Sequence, residues 1–215
     1  MKNYIINALS KIFWYSLLII GYIPAQIFLK IWGWNIVGEI PKLKKMMVIV
    51  TPHRKGLKDV LLGLFVSIIK FIPPVQFLAK YEAMHPWWNP GKLLYLIGGI
   101  PTDRKHEHTD SKKGDIINTM IRVFKEKDNA IFVLVPEGTR AEGAPWRRGF
   151  YITASNANIP VVPVGFDYKN KTVVIGLPIL MTGNSEKDLH FLKEWYIQNV
   201  PGYAPVIDTA MFNSN

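Results

Sequence analysis

The chain has 215 residues, 49% of them hydrophobic and 20% charged, and it contains no cysteine. That length fits one domain with a real core, the balance excludes both a disordered chain and a polytopic membrane protein, and the missing cysteine rules out disulfides, a thiolate nucleophile and cysteine-bound metals. A formal net charge of +10 calls for an anionic partner, a requirement that nucleic acid and an anionic membrane surface meet equally well.

The first element separates those two partners. From Ile12 to Leu29 no residue is charged, and Phe13, Trp14, Leu17, Leu18, Ile19, Ile20, Ile27 and Phe28 make the run strongly apolar. Its length approaches that of a bilayer span. Gly21 and Pro24 interrupt it, and Trp14, Tyr15, Tyr22, Trp32 and Trp34 are amphipathic rings of the kind that settle at headgroup depth. The expectation over residues 1–33 is a membrane-associating helix or kinked hairpin lying in the interface, favoured over a true span as the alternative, with Lys30, Lys42, Lys44 and Lys45 facing anionic cytoplasmic lipid. A nucleic-acid binder would instead interleave aromatics with lysines along one groove, so nucleic acid is not an expected partner.

Beyond this segment strand and helix signals alternate, which means α/β. Met46 to Val50 reads as a buried strand, Leu57 to Ile69 as a helix, Val75 to Leu78 as a strand and Lys92 to Ile97 as a short helix. Ile116, Ile117, Met120, Ile121 and Phe124 recur at helical spacing within Ser111 to Lys127, and Ala130 to Val135 is an uninterrupted apolar strand. Gly149 to Asn156 reads as a helix, Val161 to Tyr168 and Thr172 to Ile175 as strands around a turn at Lys169-Asn170, and Ser185-Glu186-Lys187-Asp188 opens a last helix like a capping box. The domain is expected over 34–200, and the tail 201–215 has no clear period.

The chemistry-bearing residues fall between these elements. Thr51-Pro52-His53 ends the first strand, Asp59 comes next, then Gly98-Gly99-Ile100-Pro101-Thr102-Asp103-Arg104, Pro136-Glu137-Gly138-Thr139-Arg140, Trp146-Arg147-Arg148-Gly149-Phe150 and Ile159-Pro160-Val161-Val162-Pro163-Val164. In this order, from Trp34 to Val200, the series resembles the blocks of the glycerolipid acyltransferase family of the lysophosphatidate acyltransferase type. The resemblance implies a mixed αβ domain with a central sheet flanked by helices, attached to the cytoplasmic face of the bacterial inner membrane. It also implies transfer of a fatty acyl group from acyl-CoA or acyl carrier protein to the hydroxyl of a lysophospholipid such as 1-acylglycerol-3-phosphate. No resident cofactor is implied beyond that thioester co-substrate, and the partners are membrane lipid and the acyl carrier.

Acyl transfer from a thioester to an alcohol needs a base near neutral pH, a task that suits histidine, and the resemblance assigns it to His53 with Asp59 holding the imidazole. Arg104, Glu137, Gly138, Thr139 and Arg140 are the expected acceptor site: guanidinium forks onto phosphate, and glycine lets backbone N–H groups approach. Glu137 is expected on the glycerol hydroxyls or ordering Arg104 and Arg140. No metal is expected, because His106 and His108 flank Glu107 without a third ligand at metal-site spacing.

One departure bears on the mechanism. The family has four residues between histidine and aspartate, whereas this chain has five, Arg54, Lys55, Gly56, Leu57 and Lys58. On a regular helix one added residue rotates every later side chain by about 100°. Contact between His53 and Asp59 therefore requires a turn before the helix, with Gly56 absorbing the insertion. A catalytically degenerate lipid-binding protein of the same fold is the alternative.

Overall fold

The computed structural model describes residues 2–70, 75–80, 98–102, 110–139 and 141–207. Its elements are α1 (Lys2–Trp32), β1 (Asn35–Val37), β2 (Lys45–Thr51), α2 (Leu57–Ile69), β3 (Gln76–Lys80), β4 (Gly99–Thr102), α3 (Asp110–Glu126), β5 (Ala130–Leu134), α4 (Gly149–Ala157), β6 (Val161–Asp167), β7 (Thr172–Ile175) and α5 (Ser185–Asn199). The short helix expected over Lys92 to Ile97 lies outside the described residues.

The seven strands form one sheet in the order β1-β7-β6-β2-β5-β3-β4. Every neighbouring pair is parallel except β6 and β7, which are antiparallel. β2 sits at the centre because its run Met46-Met47-Val48-Ile49 is apolar on both faces and buried throughout, as a strand covered from two sides must be. Alternation along β2 then builds two cores. Met46 and Val48, with Val162, Val164 and Phe166 of β6, face α1 and α2. Met47 and Ile49, with Ala130 and Phe132 of β5, face α3, α4 and α5. The molecule is thus three layers, helices over both faces of a mixed sheet.

Helix α1 is continuous through Pro24, where a kinked hairpin was one expectation. The reason lies in its packing. Trp14, Leu18, Ala25 and Leu29 recur at helical spacing as one buried stripe, on both sides of the proline, and join the core with Leu62, Val66 and Ile68 of α2. Rings of Phe28 and Trp32 also meet Phe65 of α2. One lost backbone hydrogen bond at Pro24 does not outweigh a stripe of this length. The opposite face is an exposed ridge of Ile12, Ile19, Ile20, Ile23, Ile27 and Ile31. Residues Ile12–Trp32 are long and apolar enough to cross a membrane, by length and composition.

Two further details differ from the sequence expectation. The cap of α5 is Asn184, whose Oδ1 accepts from the Lys187 N–H at 3.1 Å; Asp188 is instead buried, with Tyr151 and Thr182 donating to it. Residues 201–207 are not a detached tail, since Tyr203 is buried and the Trp146 N–H donates to the Val206 carbonyl at 3.0 Å.

Because the buried stripe of α1 is part of the domain's core, Leu18→Ala is expected to destabilise the whole domain by about 2–4 kcal/mol. Urea unfolding followed by tryptophan fluorescence should show one transition at a lower midpoint; a separate early transition for α1, with the main midpoint unmoved, would contradict this.

Candidate active site

Three central strands deliver their carboxyl ends to one edge of the sheet. β2 ends in Thr51 and leads to Pro52-His53, β5 leads to Pro136-Glu137-Gly138, and β6 leads to Tyr168. Since these strands run parallel in the order β6-β2-β5, the three turns are neighbours, the place where open α/β sheets bind ligands.

The extra residue before Asp59 is taken up by a turn. Gly56 has φ 63° and ψ −117°, a backbone region that side chains with a Cβ scarcely enter, and α2 begins at the next residue. Asp59 N–H donates back to the Gly56 carbonyl at 3.1 Å. Asp59 thus stands in the first turn of α2, and its Oδ2 lies 3.0 Å from His53 Nδ1. The carboxylate is almost fully buried, with 2% of its side chain exposed, so its charge must be met by donors. Lys55 N–H donates to Oδ2 at 2.7 Å and the Tyr168 hydroxyl donates to Oδ1 at 2.8 Å. The same hydroxyl accepts from the Arg54 N–H at 3.3 Å, which ties the turn to the end of β6. His53 keeps 23% of its side chain exposed. With Nδ1 on Asp59, Nε2 is the nitrogen left to meet an incoming molecule.

Glu137 heads a second buried group. Its Oε1 accepts from the Tyr203 hydroxyl and lies 2.8 Å from Thr51 Oγ1, while Trp146 Nε1–H donates to the Tyr203 oxygen at 3.1 Å. Where Glu137 was expected on glycerol hydroxyls or on the two arginines, this carboxylate oxygen is held inside the protein and joins β2, β5 and the segment after α5. Gly138 carries the turn with φ 63°, and a Cβ there would stand 2.7 Å from Arg147 Nε. Thr139 is exposed, its Oγ1 accepting from the Ala141 N–H at 3.3 Å. Arg104, Arg140, His106, Glu107 and His108 lie outside the described residues. Ile159 to Val164 is largely interior, with β6 buried along its whole length.

Tyr168 and Tyr203 are the residues that sequence reasoning missed at this site. Neither belongs to a motif, and each reaches its carboxylate over more than 60 residues of chain. Burial raises the pKa of both phenols well above the usual value near 10, reinforced by hydrogen bonding to Asp59 for Tyr168 and to Glu137 for Tyr203. Both therefore remain neutral donors throughout the neutral range. Two cations from the inserted turn lie over these rings, the Arg54 guanidinium 5.8 Å from the Tyr203 centroid and Lys55 Nζ 5.9 Å from that of Tyr168.

A histidine oriented by a buried carboxylate, at the carboxyl edge of a mixed sheet, is an arrangement that can take a proton from an attacking hydroxyl in a group-transfer reaction. Comparison with known proteins identifies the family. Residues 35–167 match the family model described as Acyltransferase, and the chain belongs to that family. It is 27% identical over 148 residues to a probable 1-acyl-sn-glycerol-3-phosphate acyltransferase of Mycoplasma pneumoniae, an alignment covering 66% of this chain and 53% of that protein. The chain thus spans about half the length of that curated relative. The crystal structure of the 1-acyl-sn-glycerophosphate (LPA) acyltransferase PlsC from Thermotoga maritima superposes with a TM-score of 0.54 at 18% identity, covering 92% of this chain and 79% of that one, and shows the same fold.

The raised tyrosine pKa values carry a stability consequence. Below about pH 10 the phenols are protonated in folded and unfolded chains alike; above it the unfolded chain loses protons that the folded chain keeps, so stability falls as pH rises. Melting temperature should decline above about pH 10, and less steeply in Tyr168→Phe, with phenolate absorbance tracking the unfolding. An identical slope in the variant would contradict the assignment.

Proposed function

We propose that this protein transfers a fatty acyl group from a thioester, acyl-CoA or acyl carrier protein, to the hydroxyl of a lysophospholipid such as 1-acylglycerol-3-phosphate. The observation that carries the reading is the contact of His53 Nδ1 with the buried Asp59 carboxylate across the enlarged gap. In this mechanism Nε2 of His53 takes the proton of the acceptor hydroxyl as its oxygen attacks the thioester carbonyl carbon. The imidazolium is stabilised by Asp59, which Lys55 N–H and Tyr168 hold in place. The tetrahedral intermediate collapses with cleavage of the carbon–sulfur bond, and the imidazolium returns its proton to the departing thiolate. The turn Glu137-Gly138-Thr139, with Arg104 and Arg140, is the proposed seat of the acceptor's phosphate. This reading is supported by family membership and by the name of the Mycoplasma relative.

The decisive assay is thioester consumption by purified protein with lysophosphatidate. His53→Ala is expected to lower kcat by about 10³-fold or more and Asp59→Asn by about 10²–10⁴-fold. Wild-type consumption no faster than that of His53→Ala, across donors and acceptors, would replace this reading with that of a lipid-binding protein of the same fold.

The acceptor and product are lipids, and we place the protein on a membrane surface through the outer ridge of α1, with the cytoplasmic leaflet as the proposed side. Six exposed isoleucines on one helix face form an apolar stripe that water does not favour, and the net charge of +10 suits anionic headgroups. Ile20→Glu with Ile27→Glu alters this ridge while sparing the buried stripe. The double variant should keep its melting temperature and stay in the supernatant when sedimented with anionic vesicles; co-sedimentation equal to wild type would refute the placement.

A further inference from the structure

We propose that Arg54 is a ligand for the phosphate of the acceptor, and that Glu142 is a resident carboxylate which the phosphate displaces from it. This rests on the reading of the site as one that takes a phosphorylated alcohol.

Arg54 comes directly after the base, and its backbone N–H is tied to the Tyr168 hydroxyl, so the side chain starts from a fixed point at the carboxyl edge of β2. From there the guanidinium crosses to the ring of Tyr203, 5.8 Å from its centroid. The hydroxyl of that tyrosine is bonded to Glu137, so one ring links the guanidinium to the turn at the end of β5. Arg147 approaches the same turn from the other segment, its Nε 2.7 Å from where a Cβ on Gly138 would stand. One guanidinium thus lies against a turn whose glycine has positive φ, and a second is linked to that turn through Tyr203 and Glu137.

The present partner of Arg54 is an anion. Arg54 NH1 lies 2.6 Å from Glu142 Oε1. Glu142 sits in the loop after the turn with 78% of its side chain exposed, against 30% for Arg54. Exposed pairs of this kind contribute little to stability, so Glu142 can be released at small cost. A phosphate monoester carries more charge and offers two oxygens to the planar fork, whereas Glu142 engages NH1 with one. The cation–π contact with Tyr203 would keep the fork in place during the exchange. Lysine at this position would keep the charge and lose the fork.

Glycerol 3-phosphate is a suitable probe because its binding, measured by calorimetry on the purified full chain, needs no turnover. In Arg54→Ala its Kd should rise about tenfold or more, as for loss of a charge-assisted hydrogen bond. Glu142→Gln removes the competing carboxylate and should tighten binding, while Arg54→Ala with Glu142→Gln should bind no better than Arg54→Ala. Lys125→Ala on α3 removes the same charge elsewhere and should stay within about twofold of wild type. With lysophosphatidate as acceptor, Arg54→Ala should act mainly on KM. Weaker binding in Glu142→Gln would make the pair a mere structural latch, and Arg54→Ala within twofold of wild type, or no binding by wild type, would overturn the proposal. Binding in the expected order by a protein without transfer activity would uphold this inference while removing the enzymatic one.

Discussion

Burial of the Asp59 carboxylate is the constraint that sets the geometry of this molecule. An ion with 2% of its side chain exposed is stable only where donors replace the water it has lost. Those donors come from three places, the Lys55 N–H in the turn, the Tyr168 hydroxyl at the end of β6 and the ring of His53 after β2. Satisfying them fixes where α2 begins, how the turn at Gly56 bends and how β6 lies against β2. The imidazole is oriented as a result of the same bonds that make the charge tolerable, so one group sets both the local fold and the pose of the ring.

A second carboxylate is treated in the same way one strand further along. Glu137 is met by Tyr203 and Thr51, with Trp146 behind Tyr203, as Asp59 is met by Tyr168. Each tyrosine is a neutral donor because burial holds its proton, and each ring carries a cation from the inserted turn. The added residue is thus accommodated by glycine at one point, and its basic neighbours are given aromatic faces to rest on. Both solutions depend on residues far away in sequence.

That distance explains what was legible in the sequence and what was not. α2 over Leu57–Ile69 and β7 over Thr172–Ile175 emerge from periodicity alone, and β2, β5 and β6 agree within a residue or so because apolar runs in a parallel sheet are hard to mistake. β1 and β4, three and four residues long, carry too little pattern to be seen. The apparent capping box at Ser185 failed by one position: Asn184 takes the Lys187 N–H, and Asp188 is held inside by Tyr151 and Thr182. His53 and Asp59 were readable from the resemblance, and their contact from the need for a turn. Tyr168 and Tyr203 were not, since a tyrosine at a strand end or in an aperiodic tail looks like any other until the fold brings it to a carboxylate. Pro24 misled for a related reason: its local cost is visible in sequence, while the stripe that overrides it is recognised only with α2 alongside.

The bond between Thr51 and Tyr203 joins positions 152 residues apart. During synthesis α1 and β2 leave the ribosome long before the residue that completes the Glu137 cluster. The emerging polypeptide therefore has its apolar helix early and the last donor to Glu137 late, so a nascent chain, or one clipped before Tyr203, holds that buried carboxylate one hydrogen bond short.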